Sequence, residues 1–452
     1  MIALFGLLAC TTTTTVFVPA QDSATNGPHD QGPGGNSNNG QGNPFVDISG
    51  HRAPTHVLMI SIDTVRRDRV GRYASGVSNT PTLDSLMSDG AVLDAHHSCS
   101  NWTYASSLCA LTGQSTVDMQ FIPNSITAVG SPATTLAEAL GDVGYTTGLV
   151  SANPWVCGDF AGEGYDREEC LQAAKAATVI DTSLDMLGDM TDGDPWFFHL
   201  HLMDPHWTYE PPAAYTTGSS SLPSIPYDVN DVSGLMQLDA DWAYLDDAEQ
   251  ADVLEVIDFY YGAELRYTDD EIARLLDELD TAGMLDDTIV VLWTDHGEQF
   301  LDHDSFGHSH ALFQEENLAL AAFWAPGLIE PGVWSSPTSH RDIVPTLLQV
   351  LGQPIPDGVK GRIVGLDAPD APVFAHMYDN DHAEVVITEG THRLFYDWDG
   401  NKALYDVGTD PSELEDLYIS TPNKVDTLWQ SLLPEVERME SLVGRSGSDV
   451  GP

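Results

Sequence analysis

Acidic and imidazole side chains follow several apolar runs of this sequence, at the points where those runs end. The run HVLMISI (His56–Ile62) is followed by Asp63, and the run TIVVLW (Thr288–Trp293) is followed closely by Asp295 and His296. An aspartate alone at such a point more often caps a helix. Adjacent Asp and His, however, can supply an oxygen and an imidazole to one cation. The pattern predicts a metal site, with a turn that carries an incidental histidine as the alternative.

Two further segments bring more groups of the same kind. The run WFFHLHLM (Trp196–Met203) leads into Asp204 and His206, and a later Gly-His-Ser-His segment contributes His308 and His310. One histidine in such a place is usually structural, whereas several Asp and His residues at strand ends more often mark a metal or phosphate site. These residues are therefore candidates for the same site.

Apolar runs that alternate with helical patterns must position these groups. Such alternation predicts a mainly parallel sheet with helices on both faces, and ligands bind beyond the carboxyl ends of its strands. The predicted strands are His56–Ile62, Thr147–Val150, Trp196–Met203, Thr288–Trp293 and Leu318–Trp324, and the predicted helices are Pro81–Gly90, Thr134–Leu140 and Phe259–Leu279.

The order of the motifs resembles that of the sulfatase family within the alkaline-phosphatase superfamily. The segments IDTVRRDRVGRY, WTYASSLCALTG, GDVGYTTGLV, DPHWTYEPP, TIVVLWTDHGE, HSHALFQEE, SHRDIVPTLLQVLG and LYDVGTDPSELEDL follow one another as in that family, over roughly residues 54–420. The resemblance implies an α/β fold of alkaline-phosphatase type. In this fold, helices flank a mainly parallel central sheet, and a small C-terminal antiparallel subdomain follows.

One segment departs from the family in the residues that define its usual chemistry. Sulfatases proper carry a cysteine or serine that is oxidised to formylglycine, with a proline two positions on and an arginine four positions on. Counting back from Thr112 and Gly113 places Thr103 at the nucleophile position, with Ala105 and Ser107 at the other two. Threonine cannot become that aldehyde, so formylglycine-dependent sulfate hydrolysis is not expected. Threonine is the nucleophile in phosphodiesterase and phospho-group transferase branches of the superfamily.

The resemblance to those branches implies a ligand set around one dication: Asp63, Thr103, Asp295 and His296. A dication lowers the pKa of a coordinated hydroxyl, so Thr103 could attack an ester and form a covalent intermediate that water resolves. Zn²⁺, Mn²⁺ and Ca²⁺ are the expected ions, and Mg²⁺ stays open.

Histidines are expected to complete the site. His206 would meet the charge of the substrate, with His308 or His310 nearby, and one of them could protonate the leaving group. His308 matches a family landmark, but Ser309 replaces the glycine beside it, so His310 stays an alternative. A second metal bound by Asp204, His206 and His308 is conceivable, although their spacing favours one metal.

The formal net charge of −52 over 452 residues, with only four lysines, bears on possible partners. It excludes nucleic acid, repels anionic membranes and attracts divalent cations. Adaptation to salty surroundings is an equally good explanation. Because the expected substrates are anions, a local positive centre must overcome this charge. Arg66 and Arg67 follow Asp63 closely, although they could equally pair with acids.

The N-terminus and the cysteines indicate export. Met1–Ala9 is apolar and ends in LLAC, which resembles a bacterial lipoprotein signal with a lipid anchor at Cys10; a plain secretory signal is the alternative. The composition of residues 11–52 is typical of a flexible tether. No later apolar run is long enough to span a membrane. Four further cysteines suit an oxidising compartment, with local pairings as candidates: Cys99, Cys109, Cys157 and Cys170.

The domain organisation predicted from these features is a signal segment 1–10, a tether 11–52, a catalytic domain 53–365, a C-terminal subdomain 366–440 and a tail 441–452. The predicted protein is a periplasmic or cell-surface lipoprotein. It would hydrolyse phosphate, phosphonate or sulfate esters of small molecules, glycans or lipids, with phosphodiesters preferred over sulfates. The alternatives are a phospho-group transferase and a cell-surface binding protein on a degenerate sulfatase scaffold.

Overall fold

The computed structural model describes residues 55–74, 76–77, 79–120, 133–158, 161–190, 193, 195–378 and 382–444. The predicted signal segment, the anchor at Cys10 and the tether lie outside this part of the chain, as do residues 445–452 of the tail. Within the described ranges, no helix combines the length and the apolar character needed to cross a membrane.

The described chain contains sixteen strands and nine α-helices. The strands are β1 (His56–Ile62), β2 (Ala91–Leu93), β3 (His96–His97), β4 (Thr146–Ser151), β5 (Arg167–Cys170), β6 (Trp196–Leu202), β7 (Thr288–Thr294), β8 (Gln299–Phe300), β9 (Phe306–Gly307), β10 (Ala321–Trp324), β11 (Gly332–Trp334), β12 (Thr338–Ser339), β13 (Val373–Tyr378), β14 (Ala383–Glu389), β15 (His392–Asp397) and β16 (Lys402–Asp406). The helices are α1 (Pro81–Ser88), α2 (Thr103–Thr112), α3 (Leu136–Gly141), α4 (Ala176–Gly188), α5 (Val232–Asp241), α6 (Asp247–Thr281), α7 (Gln314–Asn317), α8 (Ile343–Val350) and α9 (Pro422–Leu442).

Eight strands form a central sheet in the order β11-β2-β10-β7-β1-β6-β4-β5. Its pairs are parallel except those of β10, which runs antiparallel to β2 and β7. On β1, Leu58, Ile60 and Ile62 face a core shared with α1, α4 and α6, while Val57 and Met59 face a core shared with α2, α3 and α8. Because both faces are covered, the central strands are almost continuously apolar.

The predicted elements all occur, and most of their bounds shift by only a few residues. Helix α6 is the exception, because it begins at Asp247 rather than at Phe259. Its start is set by a capping box, in which the Asp246 side chain accepts from the backbone N–H of Glu249 and the Glu249 side chain accepts from that of Asp246. The first turns of α6 are too polar for the apolar pattern to reveal them.

The C-terminal part forms a separate small sheet. Strands β13, β14, β15 and β16 pair antiparallel in that order, and α9 packs against them. Arg393 on β15 is fully buried, and its guanidinium donates to the Leu312 carbonyl at 2.6 Å and to Asn317 Oδ1 at 2.9 Å. This sheet thus supports the segment that follows His308. The predicted mainly parallel sheet and small C-terminal antiparallel sheet are confirmed, while the boundary at residue 365 stays a prediction.

Two disulfides connect the four cysteines of the described chain. Cys99 pairs with Cys109, with their Cα atoms 6.4 Å apart, and Cys157 pairs with Cys170 at 6.2 Å. Both distances lie in the usual range for disulfides. These are the two local pairings that the sequence suggests.

Candidate active site

Two neighbouring parallel strands bring the predicted acids to one edge of the central sheet. In the register of β1 and β7, Ile62 lies opposite Thr294, so the next residues, Asp63 and Asp295, lie side by side. His296 follows Asp295 directly, and all three candidate ligands are fully buried. Adjacent strands of one sheet therefore place two carboxylates and an imidazole at the same point.

These three side chains form a compact group of potential ligand atoms, all within 4.8 Å of one another. Asp63 Oδ1 and Asp295 Oδ2 have no hydrogen-bond partner among the described residues, although both are buried. The other oxygen of Asp295, Oδ1, accepts from the backbone N–H groups of Thr64 at 3.1 Å and His296 at 2.7 Å. Buried carboxylate oxygens without partners are costly. The donor set and the two unpaired oxygens fit a divalent cation.

The charges of the two acids are strongly coupled. Burial, and then the charge of Asp63, raise the pKa of Asp295 to about 6. For Asp63, burial also opposes ionisation, but the hydrogen bond from His201 and the charges of His206, His201 and His296 outweigh it and lower the pKa. A cation between the two carboxylates would relieve their repulsion.

Thr103 stands beside this group at the first residue of α2. It is buried, and its Oγ1 lies 3.4 Å from His296 Nε2. The N-terminal end of a helix favours negative charge, so an ionised hydroxyl would be stabilised at this position. The Cys99–Cys109 disulfide joins the segment before the helix to its second turn, and Gly113 ends the helix with φ 67°.

A group of imidazoles borders the acids. The His308 ring centroid is 4.6 Å from that of His296 and 5.0 Å from that of His206. His308 Nδ1 lies 3.3 Å from Glu298 Oε1, and His206 Nδ1 lies 2.6 Å from the Trp207 carbonyl oxygen. Burial lowers the pKa of both His206 and His308, so their neutral forms are favoured.

His310, the alternative to His308, lies in a different environment. Its side chain is exposed, and its Nε2 bonds to the Phe306 carbonyl oxygen at 3.0 Å. Of the two, His308 is the one in ring contact with His206 and His296.

Asp204 belongs to another cluster. Its carboxylate lies 2.9 Å from Lys175 Nζ and accepts from the Ala176 N–H at 2.7 Å. Lys175 also contacts the buried Glu264 at 2.8 Å. Asp204 is not part of the ligand group around Asp63. This location argues against a second metal held by Asp204.

The two arginines that follow Asp63 pair with acids. Arg66 contacts Asp68 at 2.8 Å and Asp302 at 2.5 Å, while Arg67 lies 3.6 Å from Asp94. Their charges are therefore largely neutralised by these neighbours.

Two residues at the site went unnoticed in the sequence. Asn153, just beyond β4, donates from Nδ2 to Asp63 Oδ2 at 2.7 Å and lies 3.4 Å from Thr103 Oγ1. His201 Nε2, on β6, lies 3.1 Å from the same Asp63 oxygen. The only signals for them were the position of Asn153 after a strand and the polar residues inside the apolar run that contains His201.

Comparison with known proteins shows what the chain is similar to. The sequence model of the sulfatase family matches residues 55–353. An arylsulfatase of Clostridium perfringens is 26% identical over 314 residues, which cover 63% of this chain and 62% of that protein. The chain thus spans less than two thirds of that relative.

Solved structures share the fold at low sequence identity. An enzyme in complex with its substrate D-glucosamine-2-N,6-O-disulfate gives a TM-score of 0.72 at 16% identity, covering 86% of this chain and 99% of the other. A phosphonate monoester hydrolase from Silicibacter pomeroyi gives 0.67 at 20% identity, covering 85% and 95%. Such likeness confirms the expected fold.

Proposed function

The chain belongs to the sulfatase family, and on that premise we propose that it is an extracytoplasmic, metal-dependent hydrolase of phosphate, phosphonate or sulfate esters with Thr103 as its nucleophile. Phosphodiesters or phosphonate monoesters are the preferred substrates. One observation carries the proposal: a buried hydroxyl at a helix start contacts His296, whose neighbours Asp63 and Asp295 each keep a buried oxygen without a hydrogen bond in the described chain.

The metal would be held by Asp63, Asp295, His296 and Thr103, because their ligand atoms converge. A bound dication supplies a Lewis acid that lowers the pKa of a hydroxyl. The mixture of oxygens with one imidazole suits Zn²⁺, Mn²⁺ or Ca²⁺. One ion is favoured over two, since Lys175 already neutralises Asp204.

The proposed reaction has two steps. The deprotonated Oγ1 of Thr103 bonds to phosphorus or sulfur while the bond to the leaving oxygen breaks, and that oxygen takes a proton from His206 or His308. The proton that Thr103 loses before the attack passes to that histidine, which thereby becomes the acid. Water then cleaves the threonine ester: its hydroxyl stays on phosphorus or sulfur, and its other proton returns to Thr103. An anionic ester bound beside the two histidines would raise their pKa values, which burial lowers.

The groups around Thr103 favour an ester with one negative charge. Asn153 is a neutral donor, and His206 and His308 favour their neutral forms. Arg66 is already paired with two acids. Beyond the metal and one protonated histidine, a second negative charge on the reacting group would find little compensation among these side chains, which supports a diester or a phosphonate monoester over a phosphate monoester dianion. The name of the Silicibacter neighbour is in line with this class.

The location proposed for the enzyme is outside the cytoplasm, with a lipid anchor at Cys10. The two disulfides suit an oxidising compartment. A glycan or lipid ester is a reasonable substrate there, since one structural neighbour was solved with a sulfated sugar.

The test uses four aryl substrates: a phosphodiester, a phosphonate monoester, a phosphate monoester and a sulfate. Metal-loaded wild type should turn over one of the first two fastest. Thr103→Ala should lower kcat by about 10³-fold or more, whereas Thr103→Ser, which keeps a hydroxyl, should retain part of the activity. Sulfate turnover that survives in Thr103→Ala would refute the nucleophile. No turnover of any substrate would favour a binding protein on the same scaffold.

A further inference from the structure

A continuous chain of hydrogen-bonded side chains runs from Asp63 along one face of the central sheet to Tyr165. His201 Nε2 lies 3.1 Å from Asp63 Oδ2, and His201 Nδ1 lies 2.8 Å from Ser61 Oγ. The same Ser61 oxygen lies 2.8 Å from His199 Nε2, and His199 Nδ1 lies 3.0 Å from the Tyr165 hydroxyl. Ser61, His199 and His201 are fully buried, while Tyr165 is partly exposed.

The sheet register builds this arrangement. Ser61 on β1 lies directly opposite His201 on the parallel strand β6, and His199 is the residue two before His201 on the same face. The neighbouring residues on this face of β1, Val57 and Met59, are apolar core residues. Three polar groups inside such a core would be costly unless they bond to one another.

One consistent direction of the hydrogen bonds runs toward Asp63. The carboxylate of Asp63 can only accept, so His201 must donate from Nε2. His201 Nδ1 can then accept the single proton of the Ser61 hydroxyl at 2.8 Å, for which the Leu200 carbonyl oxygen at 3.3 Å is the more distant acceptor. In this arrangement the Ser61 oxygen accepts from His199 Nε2, and His199 Nδ1 accepts from the Tyr165 hydroxyl. Every donor in the chain points toward Asp63.

The protonation of the outer members agrees with this direction. Burial lowers the pKa of His199 well below its usual range, so the ring stays neutral. Burial, together with the charge of Glu168, raises the pKa of Tyr165, so its hydroxyl keeps the proton that it donates.

We propose that Tyr165, His199, Ser61 and His201 form a relay that positions the Asp63 carboxylate as a metal ligand. The relay and Asn153 both bond to Oδ2, which leaves Oδ1 free for the ion. Aligned hydrogen bonds polarise one another, so a change at the far end should be felt at Asp63. The inference rests on the proposed function, because it presumes that Asp63 binds a metal, and it assigns positioning roles to four residues outside the ligand set.

Two variants test the relay in the full-length protein. Ser61→Ala removes the central link, and Tyr165→Phe removes only the terminal hydroxyl while keeping the ring that stacks on Phe197. Tyr396→Phe is the matched control. Tyr396 is a buried residue of the C-terminal sheet, and the substitution removes its hydroxyl, which bonds to Glu440. The readouts are Mn²⁺ affinity by titration calorimetry and the tautomer of ¹⁵N-labelled His201 in chelator-treated protein, with its signals assigned by their loss in His201→Gln.

The relay predicts that wild-type His201 carries a proton on Nε2, and that Ser61→Ala changes the signal of Nδ1, which loses its hydrogen-bond partner. Mn²⁺ affinity should fall by about 10–100-fold in Ser61→Ala and by a smaller factor in Tyr165→Phe, but not in Tyr396→Phe. A proton on Nδ1 with none on Nε2, or unchanged Mn²⁺ affinity in both variants, would overturn the relay. Failure of the wild type itself to bind Mn²⁺, Zn²⁺ and Ca²⁺ alike would instead refute the metal site, and the relay with it.

Discussion

At the scale of single residues, Asn153 connects the two parts of the proposed site. Its amide donates to Asp63 Oδ2 at 2.7 Å and lies 3.4 Å from Thr103 Oγ1, while its own oxygen accepts from the Trp155 N–H at 3.0 Å. That last bond fixes which end of the amide faces the site. The side chain therefore contacts both the proposed metal ligand Asp63 and the proposed nucleophile Thr103.

Replacing Asn153 should damage catalysis. In Asn153→Ala, Asp63 loses a donor to a buried charged oxygen, an interaction worth about 1.5–3 kcal/mol. We expect kcat/KM to fall by roughly 10- to 100-fold in steady-state kinetics on the best aryl substrate. The control is Asn230→Ala. Asn230 lies in a partly exposed turn and, in the described chain, bonds only to Asp228. Equal kinetics in the two variants would remove Asn153 from the site.

Glu264 should make stability depend on pH. It is fully buried, its Oε2 has no partner in the described chain, and burial followed by the charge of Asp204 raises its pKa from 4.5 to about 8. An acid with a higher pKa in the folded state binds its proton more tightly there. Its contribution to stability is therefore complete below about pH 4.5 and is lost as the pH rises to about 8, by at most about 1.4 kcal/mol per pH unit.

The measurement compares urea unfolding of wild type and Glu264→Gln from pH 5 to pH 9. The free energy of unfolding of the wild type, relative to that of Glu264→Gln, should fall across this window and level off above about pH 8. A difference that does not change with pH would mean that Lys175 keeps Glu264 ionised throughout.

The residues that the sequence could and could not reveal differ in a physical way. Asp63, Asp295 and His296 follow apolar strands, and a strand end is visible in a sequence because the apolar run stops there. Asn153 and His201 act through contacts across the sheet that depend on register, here Ser151 opposite His201. A sequence without its strand pairing does not contain that information.

At the scale of elements, the loop after β7 depends on one glycine. A Cβ at Gly297 would lie 1.9 Å from the Glu315 carbonyl oxygen, whereas one at Gly141, the last residue of α3, would meet nothing within 4 Å. The backbone of Glu315 therefore packs directly on the turn that carries Asp295 and His296.

Gly297→Ala should push these two segments apart. Overpacking of this kind costs about 1–3 kcal/mol, and because it displaces the ligands, Mn²⁺ binding should weaken as well. Gly141→Ala should keep both properties, or gain stability slightly from the better helix former. Thermal unfolding with and without Mn²⁺ measures both effects. Normal Mn²⁺ binding in Gly297→Ala would show that the loop tolerates the shift.

Elements were predictable where apolar periodicity extends over their whole length. The central strands β1, β6 and β7 appear close to their predicted bounds because both faces are buried. Helix α6 was predicted short because its first turns are acidic and are fixed by the capping residues Asp246 and Glu249. The polar start of this helix is marked by its capping residues and not by apolar periodicity.

At the scale of the whole molecule, the charge of −52 opposes the proposed chemistry. An anionic ester must approach a strongly acidic surface before it meets any local positive group. The Debye length falls from about 30 Å at 0.01 M salt to about 8 Å at 0.15 M. Added salt should therefore shield the approach of the substrate and weaken the repulsion within the protein itself.

We expect kcat/KM for a monoanionic aryl ester to rise several-fold between low and physiological ionic strength, mainly through a lower KM, and the melting temperature to rise with it. Stopped or initial-rate assays in KCl, with sucrose at equal osmolality as the control, separate charge screening from general solute effects. A fall of kcat/KM with salt would mean that a positive field at the site already attracts the substrate from a distance. The negative surface would then be a matter of solubility rather than a barrier to catalysis.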